Sequence, residues 1–120
     1  MIKDIRVRNY LNTQMAVSIE KAEVIFIECK NCIEQGDSVN LNFEEVKLII
    51  TAFLNIAIGK LYGLQIDYDI IDKHLLFSNT TPSIDEMLHR VKENSKKFYS
   101  SRERGRDAND FLNKSIDGDI

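Results

Sequence analysis

Cys29 and Cys32, the two cysteines of the chain, stand three apart in "CKNC". Such a pair does redox chemistry where a helix N-terminus lowers a thiol pKa. Here the apolar period places both late in a helix, toward the end whose dipole disfavours a thiolate, and they are expected as small apolar residues. A structural zinc would need two further ligands, and the separation of His74 and His89, the two histidines, matches no finger. Asp67, Asp69 and Asp72 in "IDYDIID" offer three carboxylates. That stretch lacks the glycine and the closing glutamate of a calcium loop, so it reads as a solvated connector. Gly59 and Gly63 bracket "KLY" without a GxGxxG or Walker pattern around them, and no serine sits in a nucleophile elbow. No catalytic residue, metal site or cofactor is expected, and the chain reads as a non-enzyme.

One cluster points to binding chemistry. Residues 89–106 carry seven Lys/Arg (Arg90, Lys92, Lys96, Lys97, Arg102, Arg104 and Arg106) against two Glu, a net +5, with Phe98 and Tyr99 among them. Basic side chains interleaved with aromatics are the footprint of a nucleic-acid surface. Residues 1–88 hold eight basic against thirteen acidic residues, a net −5, and residues 107–120 hold one against four, a net −3. An acidic body opposes a polyanion, and a helix with its charges on a solvated face gives the same count. Nucleic-acid binding through the basic third helix and the segment after it is therefore the rival reading, not the first.

The elements that must position these residues follow from the hydrophobic period. A chain of 120 residues, 43% of them hydrophobic, has room for one core and not for two. Ile5, Val7 and Leu11 alternate with Arg6, Arg8 and Tyr10, which predicts a strand near the start. From Ser18 the step lengthens to three or four through Ile19, Ala22, Phe26, Cys29 and Ile33, an amphipathic helix that Ser18 can cap and Gly36 can end. "VNLNF" alternates as a second strand, and residues 51–62 form a second helix that is apolar nearly all round, stopped by Gly63. "HLLFS" reads as a third strand. "TPSIDE" opens a third helix, with Ser83 as N-cap, Glu86 completing a capping box, and Ile84, Met87, Leu88, Val91 and Phe98 as its buried stripe. Strand and helix alternate throughout, the order that builds an α/β layer on a parallel sheet. Residues 1–99 are expected as that single domain and residues 100–120 as a polar tail, with a helical turn near "ANDFLN".

The longest apolar run, residues 48–58, is broken by Thr51 and Asn55 and falls short of the roughly 20 residues of a membrane span. The opening "MIKDIRVRNY" has charges where a signal peptide needs its apolar region, and two cysteines fit a reducing compartment. A cytoplasmic protein with no membrane segment is expected.

The run "VNLNFEEVKLIITAFLNIAIGKLYG" resembles the central segment of STAS domains, the module of sulfate transporter tails and anti-sigma factor antagonists. It is more similar still to a STAS-like family of unknown function. The resemblance covers about residues 5–99, with residues 39–63 as its specific part. It implies a small sheet backed by about three helices and a regulatory role, with the start of the second helix as the surface for a protein partner. An over-apolar helix fits that implication, because it either is buried on most sides or offers part of its surface to something else. Thr51, Phe53, Leu54 and Asn55 are then the expected contact residues, Thr51 and Asn55 as the exposed members, whereas Phe53 and Leu54 can equally fill a core. In the antagonists a serine at that helix start is phosphorylated by a kinase-type ATPase that is also the partner. Here the hydroxyl pair falls on Thr51 and Ala52 and the preceding acid on Ile50, so Thr51 alone remains as phosphoacceptor. A histidine-kinase-type ATPase is the partner this implies, homo-oligomerisation stays open, and the Thr51 hydroxyl is further expected to cap its helix.

Overall fold

A computed structural model describes residues 1–104. The chain runs β1 (Ile2–Arg6), α1 (Val7–Leu11), β2 (Met15–Ala16), α2 (Ile19–Glu34), β3 (Ser38–Asn42), β4 (Leu48–Ile49), α3 (Thr51–Ala57), a 3-10 turn (Gly59–Gly63), α4 (Tyr68–His74), β5 (Leu75–Ser78) and α5 (Pro82–Arg104). β1, β3 and β5 form a parallel sheet in that order, with Ile5 opposite Leu41 and Leu41 opposite Phe77. This is the α/β architecture expected from the alternating elements. Val39 and Leu41 of the central strand are buried, while Asn40 and Asn42 point the other way, the two-residue period of a strand with one covered face. On that other face the Asn40 amide donates to Asp4 Oδ1 at 3.2 Å and to Ser78 Oγ at 2.9 Å, tying the three strands together.

A second, two-stranded parallel ribbon pairs Met15 with Leu48 and Ala16 with Ile49. β2 leads into α2 and β4 into α3, so the ribbon sets those two helices side by side. The Ser18 Oγ accepts the Lys21 N–H at 3.2 Å as the cap of α2, and Gly36 after that helix has φ +85°, both as the sequence indicated. Ala22, Ile25, Cys29, Cys32 and Ile33 form the buried face of α2, while Phe53, Leu54 and Ala57 do the same for α3.

Five expectations need correction. The first strand does not reach Leu11: it ends at Arg6 and Val7–Leu11 turns helical. Val7 and Leu11 are four apart as well as even-numbered steps from Ile5, so the same residues satisfy both periods, and both are buried by the helical one. The second helix stops at Ala57 instead of Tyr62, and the chain continues as the 3-10 turn. The "IDYDIID" connector is itself helical, as α4, with Ile71 buried. Finally, α5 begins two residues earlier than expected: Pro82 takes its first turn, and Thr81 instead of Ser83 caps it, its Oγ1 accepting the Ile84 N–H at 3.2 Å. The helix also carries past Tyr99 to Arg104, so the segment expected as tail begins in helix. The "ANDFLN" turn lies outside the described residues.

Candidate functional site

Thr51, Asn55 and Gly59 follow one another at intervals of four and so share one stripe of α3 and the turn after it. Facing them are Asn94, Ser95, Phe98 and Tyr99 of α5, and the two sets enclose a groove of about 320 Å³. Amides and hydroxyls line it together with two aromatic rings, and no side chain with a formal charge is among them. Phe98 and Tyr99 meet edge to face, 4.9 Å between centroids.

The four residues expected at the start of this helix therefore divide. Thr51 is exposed and Asn55 half-buried, both on the groove. Phe53 and Leu54 retain only 1% of their surface and belong to the core, which corrects their expected contact role. The capping expectation for Thr51 also fails. Ile50 occupies the N-cap position and no side chain caps the helix, and Thr51 lines the groove from its first turn.

The opposite flank of α5 is held by a clamp that the sequence did not announce. Asp72 of α4 accepts the Tyr62 hydroxyl at 2.6 Å on Oδ1 and Lys96 Nζ at 2.7 Å on Oδ2, with Lys92 Nζ 3.6 Å from Oδ1. Burial pushes the Asp72 carboxyl up. The hydrogen bonds from Lys96 and Tyr62 and the charges of Lys92 and Lys96 outweigh this, and its pKa lies below the ordinary value. The partner Lys96 is correspondingly raised, first by its hydrogen bond to Asp72. Tyr62 is fully buried, and burial followed by the bond to Asp72 moves its phenol far above the usual tyrosine value. Asp67 and Asp69, the other two acids of the stretch, are exposed.

The clamp also separates the basic cluster. Lys92 and Lys96 keep 26% and 24% of their side-chain surface and are committed to Asp72, whereas Arg90 and Lys97 project from the exposed side, Arg90 beside Glu86 at 3.6 Å. Arg102 and Arg104 lie on the last turn of α5, and Arg106 lies outside the described residues. Lys96 nevertheless shares an open hollow with Lys97, beside Tyr68, Ser100 and Ser101. Cys29 and Cys32 are buried, and the Cys29 thiol is pushed up to about 12 by burial, with further contributions from Cys32 and Glu28. That is the wrong direction for a reactive thiolate. His74 Nδ1 lies 2.8 Å from Ser38 Oγ, a link between the end of α4 and the start of β3, while His89 is exposed on α5. Among the described residues no group of three or more His, Cys, Asp or Glu is placed to hold a metal ion, and no helix is long and apolar enough to cross a membrane.

With this geometry in view, the comparison with protein families is decisive on one point. The family model of the STAS-like domain of unknown function (DUF4325) matches residues 21–85, more than half of the chain. The chain belongs to this STAS-like family. No curated protein and no solved structure matches it. The matched part of the STAS-like domain runs from α2 into the first turn of α5, so Thr51, Asn55 and Gly59 fall inside it and Asn94, Ser95, Phe98 and Tyr99 beyond it. One wall of the groove thus lies within the matched segment and the other after it. The polar residues at four-residue spacing within "TAFLNIAIG" were the signal for the first wall. The second wall had none, because Asn94 and Ser95 look like solvated helix residues until the glycines draw α5 close.

Proposed function

We propose that this STAS-like domain is a non-enzymatic regulatory module that binds a protein partner at the groove beside the start of α3. The observation that carries the reading is the pairing of Thr51 and Asn55 with the aromatic and amide residues of α5 around one concave, uncharged surface. A second feature supports it. Met15, Val17, Leu48 and Ile50 alternate along the two ribbon strands and their extensions and stay 46%, 40%, 50% and 36% exposed, an apolar rim that ends next to Thr51. Exposed apolar groups gathered in this way mark contact surfaces more often than single ones do.

The partner class is a kinase-type ATPase, as the resemblance to the antagonists implies, and Thr51 is the hydroxyl it would phosphorylate. A phosphate there would bring about −1.5 to −2 charges into an uncharged groove. It would oppose the interface by repulsion and desolvation and leave the core untouched. The commitment of Lys92 and Lys96 to Asp72 weighs against the nucleic-acid reading.

Affinity capture with the full chain from its native cell tests this proposal. A stoichiometric ATPase partner that is lost on Thr51→Glu supports it. Recovery of no partner, or of a partner indifferent to Thr51 and Asn55, contradicts it, as does salt-sensitive binding to nucleic acid.

A further inference from the structure

α5 is secured in two chemically different ways along its length. Ile84, Leu88 and Val91 form a buried apolar stripe in its first half. Beyond Val91 no described residue of the helix is fully buried, and polar contacts take over. Lys92 and Lys96 reach Asp72, which also accepts from Tyr62. The Tyr68 hydroxyl donates to the Lys96 carbonyl at 3.3 Å and lies 3.2 Å from Ser100 Oγ. Tyr99 supplies the apolar part by packing on the core across Gly63, so closely that a Cβ there would come 2.6 Å from its ring. Ser95 sits over Gly59 in the same manner, its hydroxyl 2.7 Å from where a Cβ would be.

The geometry points to a strap: residues 92–101 of α5 detach as a unit from the 3-10 turn and α4, while residues 82–91 stay docked, and Asp72 is the buckle. Segments held by few buried apolar contacts open at lower free energy than the core they lie against. Closed, the strap supplies Asn94, Ser95, Phe98 and Tyr99 as one wall of the groove. Open, it leaves only the side formed by Thr51, Asn55 and Gly59. Occupancy of the groove and closure of the strap are therefore linked, and the linkage is reciprocal. A partner in the groove holds the strap shut, and whatever frees the strap weakens the partner. Only this last link rests on the partner-binding reading, whereas the motion belongs to the free chain.

Hydrogen exchange on the full 120-residue chain reads that motion directly. In the wild type the amides of residues 92–101 exchange through an opening that lies well below that of residues 84–91, α2 and β3 in free energy. In Asp72→Asn, which keeps the shape and removes the charge shared by two lysines, they exchange about tenfold faster or more. Equal opening free energies for 92–101 and 84–91 in the wild type would make the segment part of the global unfolding unit and overturn the strap, and unchanged exchange over 92–101 in Asp72→Asn would overturn the buckle. Lys96→Met, which retains most of the side-chain stem, gives the same local signature. It decides the matter if Asp72→Asn does not fold, and its own failure to fold counts against the strap. Partner affinity then falls several-fold in Asp72→Asn although no groove residue has changed. Full affinity in a chain whose strap exchanges faster contradicts the coupling alone, whereas indifference to Thr51→Glu contradicts the groove as the interface.

Discussion

The two sides of α3 are made from the same seven-residue segment and have different tasks. On one, Phe53, Leu54 and Ala57 are sealed in the core beside α2. On the other, Thr51 and Asn55 lead to Gly59 and meet α5 across a groove. The difference teaches that the helix is apolar nearly all round because the core claims most of it, and that its few polar positions are the ones that line the groove with α5. Mutations can break this contrast in graded steps. Phe53→Ala is expected to be the most damaging, costing about 3–5 kcal/mol through transfer and cavity terms, with denaturant titration as the check. A loss below about 1 kcal/mol would mean that the inner side is not the core of the domain.

Asp72→Asn comes next, at about 1–2 kcal/mol, because it removes charge-assisted hydrogen bonds from a partly solvated clamp. The pH dependence follows from the sign of the shift. The folded-state pKa of Asp72 lies below its unfolded value, so the stabilisation is complete above roughly pH 5 and is lost as pH falls through the ordinary aspartate value of about 3.9 toward the lower folded one. Wild type should therefore lose more stability than Asp72→Asn between about pH 5 and pH 3, read as urea midpoints. Glu28, pushed up by burial but brought below its ordinary value by the hydrogen bonds from Lys3 and Tyr10 and the charge of Lys3 together, contributes in the same direction in both proteins.

Gly63→Ala is expected to cost about 1 kcal/mol, since the Tyr99 ring must move out of the way. Gly59→Ala should be nearly neutral, because the Ser95 hydroxyl can rotate aside. Equal effects from both would show that ring displacement is not what separates them. Thr51→Ala should be smallest, within about 0.5 kcal/mol by thermal melting, as expected of an exposed residue that makes no cap.

Element order and the inward residues of β3 were legible because their signals are local: alternation in "VNLNF", the Ser18 cap, the Gly36 stop. The first strand misled because Val7 and Leu11 fit two periods at once, and only the competition for burial decides between them. α4 was hidden by its shortness and acidity, since Asp72 looks solvated until Tyr62 and Lys96 are brought to it from 10 and 24 residues away. The groove was half legible for a similar reason. Thr51 and Asn55 stand out as polar residues in an apolar run, but their opposite wall comes from long-range packing of α5 on two glycines.

The central claim, that the polar side of α3 is a contact surface and its apolar side is not, meets its most direct test in Thr51→Glu. Measured side by side on the full chain, affinity for the captured partner is expected to drop at least tenfold while the melting temperature moves by no more than a few degrees. A melting temperature that collapses would put Thr51 in the core, and an unchanged affinity would put the interface elsewhere.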